Sequence, residues 1–325
     1  MKDMGGNRRR ASVALAITSI VILGVLVLLP VAVNSLFQDV QLSTGRQLYD
    51  VFTGQPYDPT AADQSADEPT FLNIAFVGIE ESDRTATLIV SGHRKCTIPC
   101  PRLRLTLFAM GNPEAKRMGL PPSVEIFSEN PGAITSEVLL PVEGDPQRYP
   151  FDTYRITLGL LAEIELVDGS WMPVPKMQID RTGSVFTLQD QVNRLVMEQP
   201  IAMTPNQMFS PGDPYVMLAA EEIKFKRPAH IQILSVLLVL LITTSGFFAL
   251  FMRALPDLLL GIGGIILGIW GVRNVVVQGN LPDITLIDSV LSIVILLLLL
   301  VVAIRAARFF LATVRGDASD SEAKS

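Results

Sequence analysis

The chain has 325 residues, 49% of them hydrophobic, a mean hydropathy of +0.40 and a formal net charge of −6 at pH 7. Four long apolar runs hold most of that hydropathy, which sets the chain apart from ordinary soluble proteins, and it lacks the basic stripe with interleaved aromatics of a nucleic-acid binder. Only two histidines occur, so triad or His-based acid–base chemistry has almost nothing to work with.

A tail, residues 1–10, ends in Arg8, Arg9 and Arg10, and the first apolar run follows at 11–33. That run is about as long as the ~20 residues a helix needs to cross ~30 Å of hydrocarbon. It exceeds the apolar core of a signal peptide, so it reads as a retained anchor. Residues 34–69 read as a linker, rich in Gly, Pro, Asp and Ala over 53–69.

From 70 to 229 the chain is ordinary in polarity, and short runs alternate apolar and polar residues at 85–90, 103–108, 124–127, 137–140 and 154–160. Alternation with period two marks half-buried strands. Gly- and Pro-bearing turns separate the runs, the pattern of a β-sandwich. Only 188–197 approaches a helical period. A proline-rich stretch at 200–214 leads to a last strand-like run at 215–226.

Three further apolar runs occupy 230–252, 255–277 and 284–304, before a polar tail at 305–325. Arg8–Arg10, Arg253, Arg305, Arg308 and Arg315 flank the runs, and basic flanks stay in the cytoplasm. Four crossings then leave both termini inside and 34–229 extracytoplasmic. Lys224, Lys226 and Arg227 run against this, but a large domain crosses largely regardless of its charge. The expected fold is a mixed membrane protein: four transmembrane helices, arranged 1+3, around an extracytoplasmic, mainly-β sandwich-like domain.

Cys96 and Cys100 are the only cysteines. In an oxidising compartment they are candidates for a local disulfide, although His93 with them could offer three metal ligands and free thiols remain a further reading. Six methionines, Met197, Met203 and Met208 among them, suit gap-filling better than copper. Glu163 and Glu165, two apart on a strand, share one face, where acids are usually solvated. Gly261, Gly264, Gly268 and Gly271 form a helical stripe that suits packing inside the bundle, with contact between protomers as the rival. Arg273 and Asp288 sit near the outer ends of their runs and are candidates for a structural ion pair, a proton or ion path being the sharper alternative.

The most distinctive run is Tyr149-Pro150-Phe151-Asp152-Thr153-Tyr154. It reads as the corner that starts a strand: proline fixes the chain, the aromatics plug the sheet end, and Asp152 takes local backbone hydrogen bonds. This run, the single anchor before it and the three-run tail resemble an uncharacterised domain-of-unknown-function family of mainly bacterial membrane proteins, over most of 34–308. That resemblance implies no catalytic residue. Pro150, Phe151 and Asp152 alone also match the corner of pentameric ligand-gated channels. Those channels, however, place all four helices after the sandwich. No cofactor or nucleic-acid partner is expected. The expected role is interaction or assembly with the bilayer and another envelope or membrane protein, without enzymatic activity. The alternatives are an oligomeric transport or channel component and, third, an envelope enzyme.

Overall fold

The computed structural model describes residues 16, 19, 21–38, 47–58, 70–95, 100–111, 123–128, 132–174, 176–177, 184–203, 218–249, 255–276 and 284–322, the backbone alone at 249, 255–256, 272–276, 309–310 and 312–322. The chain divides into two compact units.

Unit one, Phe37–Pro146 with Phe151–Pro228, is built from strands. They are β1 (Leu48–Asp50), β2 (Pro56–Tyr57), β3 (Phe71–Glu80), β4 (Thr85–Arg94), β5 (Leu103–Ala109), β6 (Ser123–Ser128), β7 (Gly132–Pro141), β8 (Glu143–Gly144), β9 (Thr153–Glu165), β10 (Trp171–Pro173), β11 (Val185–Asp190), β12 (Val196–Met197), β13 (Ile201–Ala202) and β14 (Ala219–Lys226). One sheet runs β2-β1-β11-β3-β4-β7; the other runs β12-β14-β9-β5-β6, with β8 and β10 on β9 and β13 on β14. Neighbours pair antiparallel except β11 and β3, which are parallel.

Both sheets contribute to one core. Ile74 and Phe76 of β3, Leu88 of β4 and Leu140 of β7 meet Leu107 of β5, Leu160 of β9 and Ile223 and Phe225 of β14, all buried. The Phe76 and Phe225 rings lie 5.2 Å apart between centroids. Burial of such side chains is worth about 1.5–3 kcal/mol each, and it explains the alternation: every second residue of β14 (Ala219, Glu221, Ile223 and Phe225) points into this interior. The run 188–197 forms no helix. It is the end of β11, a turn and β12, because Leu188 and Met197 are drawn into the core between the sheets.

Unit two takes Met1–Leu36, Gln147–Pro150 and Ala229–Ser325. Its helices are α1 (Val21–Gln38), α2 (Ala229–Ala249), α3 (Leu255–Val276) and α4 (Leu286–Glu322). Val21–Gln38, Ala229–Phe248 and Leu286–Arg308 are long and apolar enough to cross a membrane. The remaining expected span, 255–277, falls on α3, whose fully described part, Asp257–Gly271, is apolar. Leu258 and Ile262 of α3 pack on Leu298 of α4, and Leu298 also closes on Gly246 of α2. On the α3 stripe, no described atom lies within 4 Å of where a Cβ would stand on Gly264, Gly268 or Gly271. Gly261 is half-buried.

Candidate functional site

Three clusters carry the chemistry of the β unit. In the first, Arg227, directly after β14, reaches Asp152, directly before β9. Its Nε donates to both carboxylate oxygens at 3.1 Å and its Nη2 to Oδ2 at 2.9 Å. The same Nη2 lies 2.6 Å from Glu81 Oε2, in the turn between β3 and β4. Asp152 and Arg227 are sealed from solvent. Burial opposes the charge on Arg227, but the hydrogen bonds and attraction of Asp152, then Glu81, more than offset it and hold the guanidinium above its ordinary value. Glu81 is raised by burial, with Arg227 pulling the other way. The Tyr154 ring lies against Gly144 of β8, where any Cβ would collide with it. Its hydroxyl is buried beside Asp152, and burial, then Asp152, keep its proton on.

The second cluster surrounds Glu221. It is 1% exposed, and neither carboxyl oxygen has a hydrogen-bond partner. Against it lies turn 50–55, held by Asp50. Asp50 Oδ1 accepts from the amides of Phe52 and Thr53 and from Thr53 Oγ1, at 3.0, 2.9 and 2.9 Å. Gly54 closes the turn at φ +64°, and a Cβ there would strike the Pro200 carbonyl oxygen and stand 3.4 Å from Glu221 Oε1. Only glycine combines that φ with so close an approach. Burial first and the Asp50 charge second push the Glu221 carboxyl up to about 8, the Gly54 amide pulling the other way.

The third is an exposed face on β5, β6, β9 and β10. The Arg104 guanidinium lies 4.5 Å from the Trp171 ring centroid and 2.6 Å from Glu163. Arg102 sits 5.7 Å from the Phe127 ring centroid and 3.5 Å from Glu165. Phe127 and Trp171 are 6.0 Å apart between centroids. Phe127 is 47% and Met172 40% exposed. The two glutamates expected to be solvated are thus arginine partners.

The distinctive run is split. Tyr149 is buried in the helical unit with Ile269, Ile287 and Leu291 rather than at a sheet end. Pro150 is buried too, Phe151 is 46% exposed, and Asp152 serves Arg227 rather than the local backbone. Cys100 is disulfide-bonded, while Cys96 lies outside the described residues. Asp288 caps α4: its Oδ2 accepts from the Thr285 amide at 3.0 Å and from Thr285 Oγ1 at 2.8 Å, a capping-box arrangement. The Arg273 side chain lies outside the described residues, as does Met208. Met197 fills the core. No group of three metal-ligating side chains occurs among the described residues. The basic cluster before α2 is answered by acids, Lys224 by Glu222 at 3.3 Å and Lys226 by Glu198 at 2.7 Å.

Sequence reading passed over Glu81, Glu221 and the pairing of Arg227. Glu221 could have been found as the one acid on the inward face of β14. The partners of Arg227 could not, because Asp152 is 75 residues away.

These features define a two-part protein: a β-rich unit with buried ionic chemistry, and helices of membrane-compatible length. Residues 127–189 match the model of a domain of unknown function, DUF4436. The matched stretch runs from β6 to β11 and includes Tyr149 to Tyr154. No curated protein matches the chain.

Proposed function

We propose that the chain is a four-span membrane protein presenting its β unit on the extracytoplasmic side, as a binding surface for another envelope or membrane protein. The observation that carries the binding role is the Arg102–Phe127–Arg104–Trp171 face. Aromatic residues and arginine dominate the binding energy of protein interfaces, and here both types are held in place by stacking and ion pairs. The disulfide at Cys100 favours an oxidising compartment, in keeping with the basic flanks of the helices. The 22 residues of α3 give it a length of about 33 Å, enough to cross.

The test is extraction from native membranes followed by mass measurement of the complex. A stoichiometric second protein, lost with Trp171→Ala while the β unit stays folded, is the expected result. A complex indifferent to Trp171 and Phe127 would overturn the assignment of this face.

A second reading, an oligomeric transport or channel component, draws on the open glycine face of α3, which another copy could cover. Against it, Thr243 and Thr244 turn their hydroxyls back to the carbonyls of Val239 and Leu240, both at 2.7 Å, rather than toward a path. A homo-oligomer that conducts ions in planar bilayers would establish this reading instead.

A further inference from the structure

Glu221 is an unusual choice for its place. Strand alternation puts it on the inward face of β14 beside Ala219, Ile223 and Phe225, and that face builds the shared core. A carboxylate there has lost its water and has only the nearby Gly54 amide, beyond good hydrogen-bond geometry, to replace it, a state that proteins avoid by neutralising the group. The neutral acid fits: it needs no counter-charge, and the Pro200 carbonyl oxygen crowds the same side of Gly54 as Glu221 Oε1.

We propose that Glu221 is a proton-operated latch: with its proton it lets turn 50–55 seat on β14, and when the proton leaves for solvent the new charge drives that turn away.

The surroundings make the response one-sided. Asp50 of the turn faces Glu221 with a like charge. On the neighbouring strands, Leu158 of β9 and Ala202 of β13 stand in register with it, and neither titrates. Tyr49, next to Asp50, is held protonated by burial and by Asp190. Glu222 and Lys224 alternate to the opposite face of β14, where Glu222 pairs with both Lys224 and Arg155. Among these groups, none offers positive charge to an ionised Glu221. The turn is the more lightly held of the two elements: the Val51 amide on the Phe186 carbonyl at 3.0 Å and the Phe52 ring against Phe186 tie it to β11, on the side of the turn away from Gly54 in sequence. It ends the short strand β1 and closes through Gly54, whose amide donates to the Asp50 carbonyl at 2.8 Å, whereas β14 is fixed along its whole length by β9.

The test is amide hydrogen exchange on the full chain in detergent, from pH 6.5 to 9.5, corrected for the intrinsic base-catalysed rate. Amides of 50–55 should lose at least about tenfold protection as the pH crosses about 8, while those of β4 stay protected. Glu221→Gln, permanently neutral and of the same shape, should keep the turn protected throughout. Asp50→Asn, which retains the turn-capping oxygen, should move the transition to lower ionisation stress and hence to lower pH. A turn equally protected at both ends of the range overturns the latch. So does a glutamine variant that opens as the native chain does. Should that variant not fold, an Asp50→Asn transition at the native midpoint overturns it as well.

Discussion

The two units solve opposite problems with the same amino acids. In the β unit most large apolar side chains turn inward, and the buried charge of Asp152 is answered by Arg227. In the helical unit Leu260 is 83%, Leu267 74% and Leu296 68% exposed, and the glycines of α3 face open space. A water-exposed surface of that kind would cost roughly 25 cal/mol per Å², so the helices imply hydrocarbon around them. The difference teaches where to look for specificity. Lipid accepts any apolar surface, but a buried charge in the β unit accepts only the partner that fits it.

The largest effect should come from breaking that fit. Arg227→Met leaves Asp152 and Glu81 buried without their cation and should cost about 3–5 kcal/mol in denaturation of the detergent-extracted chain. Adding Asp152→Asn should recover part of the loss, because the stranded charge is then gone.

Next comes the unanswered charge. Glu221 ordinarily titrates at 4.5 and is pushed up to about 8 in the fold. Between those values the folded chain holds a proton that the unfolded chain has released. Stability therefore falls as pH rises through this window and levels above it. Glu221→Gln should flatten that slope, gaining on the order of 4 kcal/mol on the native chain between pH 5 and pH 9; identical slopes would remove Glu221 from the account.

The smallest effect belongs to the helical unit. Gly246→Ala would bring a Cβ to 2.9 Å from Leu298 Cδ2 and should cost about 1 kcal/mol. Gly264→Ala meets open space and should leave the stability of the single chain within about 0.5 kcal/mol of native. A larger loss at Gly264 would show that another copy covers this face.

The contrast also governs what could be read from the chain. The expected strand runs at 85–90, 103–108, 124–127, 137–140 and 154–160 fall within β4, β5, β6, β7 and β9, since each has one face on the core and one in solvent. β3 gave little alternation because Phe71–Glu80 is apolar almost throughout. The 149–154 run was legible as a corner, but its division between two units was not. Tyr149 and Asp152 find their partners more than 70 residues away, and local spacing carries no record of that. The apolar helices were plain from length alone, and α3, Leu255–Val276, spans nearly the whole of its expected run.

In the topology we propose, the β unit stands outside the cytoplasm and the C-terminal tail inside it. Thiol labelling tests it most directly, because Cys100 is already in a disulfide and Val167 is fully exposed. In intact cells expressing the chain, a membrane-impermeant maleimide should label Val167→Cys at once and a Ser319→Cys variant only after permeabilisation. Labelling of Ser319→Cys alone in intact cells would contradict the account.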